Sequence, residues 1–194
     1  MACSVPCSVL GSARFRATAF VLALASLSFN AMQAQAARCS PSGLEGAPPA
    51  RQKQVREFQQ RVEAGPIYKE LLLRLGEPTR CGAKLSGENI ALSYAFRNEA
   101  HLDASISPGI EYSEQHAQFR GLDGEKALAL LKQSERDSFG QDGCGIDWNR
   151  PESESKGEYS SSRAVVFRSS SCNCQARILY RGKSVVGLAL SSSC

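Results

Sequence analysis

From Ala50 onward, apolar positions first recur at helical spacing and then alternate. In ARQKQVREFQQRVEAG, Val55, Phe58 and Val62 fall on one face of a helix, which Gly65-Pro66 closes. Pro66 opens a second helix, PIYKELLLRL, with Ile67, Leu71 and Leu75 on one stripe, Gly76 as its stop and Pro78 barring continuation. Alternation then takes over. Ile90, Leu92, Tyr94 and Phe96 predict a half-buried strand, and Leu102, Ala104 and Ile106 predict its neighbour. Pro108-Gly109 reads as a turn, followed by a third strand around GIEYSEQHAQF. Asp123 is placed to cap a third helix, GEKALALLKQSER, whose Ala127, Leu128 and Leu131 face a sheet. A glycine-rich connection, FGQDGCGIDW, and a polar stretch from Asn149 to Ser162 read as loops. RAVVF, CQARILY and SVVGLAL read as three antiparallel strands, the last two joined by a three-residue loop, Arg181 to Lys183. The expected fold class is α+β: a mostly antiparallel sheet with helices packed on one face, stabilised by disulfides.

Ahead of this domain the pattern changes character. Arg14 and Arg16, an apolar run from Ala17 to Phe29 and the small-x-small Ala34-Gln35-Ala36 form the three parts of an export signal. The run falls short of the about 20 apolar residues that a spanning helix needs. Arg38 before Cys39 does not suit a lipid-anchored cysteine. Residues 1–36 are therefore read as a cleaved signal peptide, 37–50 as a flexible leader rich in Pro, Gly and Ser, and 51–194 as a single domain. A faint echo, helix, Leu75-Gly76, Cys81-Gly82 against helix, Phe139-Gly140, Cys144-Gly145, admits two weakly similar halves, 51–120 and 121–194. The expected location is periplasmic or secreted, with no stable membrane span after cleavage.

Six cysteines survive signal removal: Cys39, Cys81, Cys144, Cys172, Cys174 and Cys194. An even number in an exported chain reads as three disulfides. Cys172-Asn173-Cys174 lacks the Cys-x-x-Cys spacing and the following helix of a redox centre. Paired knuckles of a zinc site are missing too, and His101 and His116 lie elsewhere in the chain, so no metal or cofactor is expected. Cys172 and Cys174 share a strand face and suit two different partners. The ranked pairing joins Cys194 to Cys172 or Cys174, gives the other to Cys144, and leaves Cys39 with Cys81.

Charge adds little. Without Arg14 and Arg16, the 23 basic and 19 acidic residues leave an excess of two, with no Lys/Arg cluster to engage nucleic acid. YKELLLRLGEPTRC followed by ENIALSYAF resembles the helix, Leu-Gly-x-Pro, strand pattern of small periplasmic modules of the BamE/SmpA and β-lactamase-inhibitor-protein type, carried by Leu75, Gly76 and Pro78 within residues 67–96. The resemblance implies a noncatalytic binding module of the bacterial envelope and carries over no active-site residue.

No hydrolase elbow, zincin helix, P-loop or dinucleotide fingerprint occurs. Glu111, Glu114 and His116 form the best polar constellation. Glu114 and His116 share a strand face, where they suit acid–base work but read first as a solvated surface, as do His101 and Asp103. Trp148 and Asp147, on the cysteine-pinned connection, are the candidate binding residues, with a buried role for the indole as the competing reading. The expectation is a noncatalytic exported protein with a protein partner in the cell envelope, an inhibitor, immunity factor or assembly accessory. A cell-envelope hydrolase using the Glu/His pair is the alternative.

Overall fold

A computed structural model describes residues 39–107, 112–139, 144–154, 162–170 and 173–193; the signal segment, Glu111, Cys172 and Cys194 lie outside them. The chain divides into residues 1–36 and a unit spanning Ala37–Cys194, and only the latter is described.

Two helices, α1 (Pro49–Ala64) and α2 (Pro66–Leu75), precede four strands: β1 (Arg80–Ser86), β2 (Asn89–Ala95), β3 (His101–Ser107) and β4 (Tyr112–Leu122). A third helix, α3 (Gly124–Phe139), precedes β5 (Glu152–Glu154), β6 (Ser162–Arg168), β7 (Gln175–Arg181) and β8 (Ser184–Ser193). All eight strands form one antiparallel sheet in the order β1-β2-β3-β4-β8-β7-β6-β5. The fold is α+β. The order divides at the β4–β8 seam into two four-stranded runs of neighbouring strands, each preceded in the chain by helix.

Local chemistry sets the element ends. Pro49 and Pro66 supply fixed φ where a first-turn N–H has no intrahelical partner. Asp123 Oδ1 accepts the Lys126 N–H at 2.7 Å, the capping bond its position predicts. Gly76, at φ +75°, ends α2 while its N–H reaches Leu72 O at 2.9 Å. The β7–β8 hairpin is tighter than expected: Arg181 faces Ser184 across Gly182-Lys183, a two-residue loop in which Gly182 takes φ +63°. Positive φ at the first of two loop residues suits the right-handed twist of the flanking strands. A bulge then moves the register, so that Tyr180 faces Val185 but Leu179 faces Gly187. At Gly187 a Cβ would sit 3.1 Å from Leu179 Cδ1 and 3.2 Å from Ala117 O, so the close approach at the seam favours glycine.

Two strands escaped the periodicity reading. RCGAKLS, β1, alternates only through Cys81, Ala83 and Leu85, which pack partly buried against the core, and β5 lies inside the polar stretch read as a loop. Both are the outermost strands, recruited by pairing to β2 and β6. The segment read as a flexible leader is tied down at two points. Cys39 bonds Cys81, and Ser42 forms a parallel bridge to Gly82, with Ala83 N–H donating to Ser42 O at 2.8 Å. This covers part of the β1 edge, which would otherwise offer unpaired backbone groups to another chain.

The second disulfide joins Cys144 to Cys174, one of the two partners expected for Cys144. Pairing of Cys172 and Cys194 lies outside the described residues.

Register puts Leu92, Ala104, Leu102, Ala117, Leu188, Leu190, Ala176 and Ile178 on one face of the sheet. They join a single buried cluster with Val55, Phe58 and Val62 of α1, Ile67 and Leu71 of α2, and Ala127 and Leu131 of α3. A buried carboxylate joins α2 to α3, and its arginine partner reaches β4. Glu70 takes Arg74 Nε and Lys126 Nζ, each at 2.7 Å, and Arg74 also donates to the carbonyls of Arg120 and Gly121 at the end of β4. Among the described residues no helix is long and apolar enough to cross a membrane.

Candidate functional site

The opposite face of the sheet is built from the alternate residues of the same strands. Along β3 and β4 these are His101, Asp103 and Ser105, and Glu114, His116 and Gln118. Asp103 stands directly opposite His116, and Glu114 opposite Ser105. His101 is two residues before Asp103 and so emerges on the same side. His101 Nε2 lies 3.8 Å from Asp103 Oδ2, and the two imidazole centroids are 6.0 Å apart. One ligand atom from each of His101, Asp103 and His116 falls within 4.8 Å of the others. Both imidazoles are half-buried and the carboxylate is exposed.

The floor around this trio is low. Ser93 flanks Asp103 on the β2 side, and Ala189 flanks His116 on the β8 side. Beyond Ala189 the row reaches Arg177, whose Nη2 donates to Gln175 Oε1 at 3.3 Å. Its Nε is buried and has no hydrogen-bond acceptor among the described residues. Short side chains between longer polar ones leave the imidazoles and carboxylate reachable from solvent. The site combines two imidazole rings, carboxylates at Asp103 and Glu114, and a guanidinium two strands from His116.

Of the residues singled out from sequence, Glu114 and His116 do share a face of β4, as do His101 and Asp103 on β3. What spacing alone did not reveal is that the two pairs face each other. Glu111 lies outside the described residues.

Trp148 and Asp147 sit in a separate place. The indole is half-buried, 5.2 Å from the Phe167 ring, with Lys132 Nζ 5.9 Å from its centroid. Its Nε1–H donates to Glu135 Oε2 at 2.7 Å. Glu135 Oε1 accepts the backbone N–H groups of Cys144, at 3.0 Å, and Ile146, at 3.2 Å. A single carboxylate thus holds the connection on which Trp148 is mounted. Asp147 is exposed, and its Oδ1 accepts the Asn149 N–H at 3.0 Å, shaping the turn. Sequence reasoning missed Glu135 and Glu70. The available signal was helical phase: Glu135 continues the Leu128, Leu131 stripe, and Glu70 follows Ile67 by three.

Under α1 and α2, burial raises the phenols. Tyr68 is pushed up to about 12 by burial first and then by the charges of Glu63 and Glu77. Tyr94 is also held well above the ordinary tyrosine range, by burial and then by Glu63, to which its hydroxyl donates at 3.5 Å. Gln59 Nε2 bridges Glu63 and the carbonyl of Cys39, joining the leader to this cluster.

Comparisons of the chain with protein-family models, curated proteins and solved structures yield no match.

Proposed function

We propose that the protein is an exported, noncatalytic binding protein of the cell envelope, resembling the small periplasmic helix-plus-sheet modules named above. On this reading its helices back one face of the sheet and its opposite face receives a protein partner, as an inhibitor, immunity factor or assembly accessory does. The observation that carries the reading is the texture of that face along β2, β3, β4 and β8; at β6 the same side is covered, with Ala164 2 % and Val166 0 % exposed. The face mixes short residues, Ser93, Ser105, Ala189 and Ser191, with charges of both signs at Asp103, Glu114 and Arg177, a composition that discriminates partners by complementarity. Cross-linking at Cys39–Cys81 and Cys144–Cys174 suits an oxidising compartment and supports export. The two helix-plus-four-strand halves support a tandem origin for residues 51–120 and 121–194.

The reading is tested by adding arginines where the face is low. A Ser93→Arg/Ser105→Arg variant should lose a stoichiometric partner that the unsubstituted protein retains from envelope extract, while a Lys53→Glu/Glu57→Lys swap on exposed α1 keeps it. Equal retention by all three would remove the sheet face as the docking surface. The hydrolase alternative is decided separately, by assaying a Glu114→Ala/His116→Ala variant on cell-wall and peptide substrates. Wild-type activity that vanishes in that variant would replace the noncatalytic reading.

A further inference from the structure

Chain order separates His101 and Asp103 from His116, yet the antiparallel ladder of β3 and β4 holds all three on one side, with ligand atoms within 4.8 Å. We propose that these three side chains bind one divalent transition-metal ion of the zinc class. The proposal goes beyond the docking reading and does not depend on it.

Two imidazole nitrogens with one carboxylate oxygen are the donors that zinc, cobalt and nickel accept readily. Calcium and magnesium instead require shells of oxygen. Metal–donor bonds of about 2.0–2.1 Å in a tetrahedron put neighbouring donors about 3.3 Å apart. His101 Nε2 and Asp103 Oδ2, at 3.8 Å, are already close to that spacing. The remaining closure needs only rotation of partly exposed side chains. The backbone does not have to move, because β3 is paired on both sides, to β2 and β4, and β4 on both sides, to β3 and β8. Ser93 and Ala189, which flank the trio on the neighbouring strands β2 and β8, are too short to fill the space above it. Three protein donors leave a fourth position for water or for a donor from a docked molecule, the arrangement of an open rather than a closed zinc site. The competing explanation is a hydrogen-bonded polar patch that binds no ion.

The disulfide-bonded chain is titrated with zinc chloride by calorimetry and with cobalt(II) by visible absorption. The expected result is saturation at one ion per chain, with cobalt d–d bands of low-coordinate intensity and no thiolate charge-transfer band. His101→Gln/His116→Gln should lower zinc affinity by at least about 100-fold, the upper end of the loss seen even for outer-shell partners. Asp103→Asn should lower it by about 10-fold or more. Because a variant could fold poorly, the unsubstituted protein supplies an independent readout: His101 and His116 are the only two histidines, and both sets of imidazole proton signals should shift as zinc is added. Absence of saturable binding, full binding by a folded double-Gln variant, a thiolate band, or imidazole signals that stay in place would each overturn the proposal.

Discussion

Glu135→Ala removes the one acceptor that organises the Cys144–Trp148 connection. The carboxylate is 5 % exposed and accepts three hydrogen bonds, at 3.0, 3.2 and 2.7 Å. Truncation leaves the N–H groups of Cys144 and Ile146 and the Trp148 indole N–H without an acceptor. An unsatisfied buried donor costs about 1–3 kcal/mol, so three would cost between about 3 and 9 kcal/mol if none were rehydrated. Cys144 and Ile146 are buried, but Trp148 is half-buried and water can reach part of the vacated space. An expected loss of about 4 kcal/mol follows, a large fraction of the about 5–15 kcal/mol by which domains are stable. Glu135→Gln keeps one carbonyl acceptor, exchanges charge-assisted bonds for neutral ones, and should cost about 1–2 kcal/mol. Urea unfolding followed by tryptophan emission is the direct assay, because Trp148 is the single tryptophan and sits on the perturbed connection. Its native emission should move to the red in Glu135→Ala as the indole N–H turns to water. An unfolding free energy within about 1 kcal/mol of the unsubstituted protein, with unchanged emission, would refute the assignment of Glu135 as the organising acceptor.

The buried phenols predict a limit at alkaline pH. Tyr68 keeps its proton to about 12 in the fold, against about 10 when unfolded, so its contribution is complete below pH about 10 and declines as pH rises through about 12. Tyr68→Phe should flatten that decline in urea midpoints measured across the window; because the chain has five tyrosines, the decisive spectrum is the difference between parent and Tyr68→Phe, and a phenolate band in that difference near pH 10 with both proteins folded would contradict it. Cys39→Ser/Cys81→Ser opens a loop of sequence separation 42 and should cost about 4 kcal/mol by the chain-entropy relation. Urea midpoints unchanged between this variant and the parent would show that the leader contributes no such restraint.

What the linear chain determined by itself is its local grammar. Helix ends at Gly65-Pro66, Gly76 and Asp123 depend on φ restriction and capping within a few residues, and they appear where those residues stand. The alternation in β2, β3, β7 and β8 was legible because each strand has one face in the core. The Cys39–Cys81 bond was also reached from the cysteine pattern. The outermost strands were not read: β1 alternates only through Cys81, Ala83 and Leu85, a short and weakly apolar signal, and the extended form of β5 is imposed by pairing to β6 rather than by apolar positions of its own. The same holds for the two polar sites. Glu135 is explicable only when the chain returns from α3 to bring three donors onto it. His101, Asp103 and His116 converge only through the β3–β4 register. A slip of one residue in that ladder would turn His116 to the opposite face, which is why tertiary pairing, and not spacing along the chain, decided the geometry of the site.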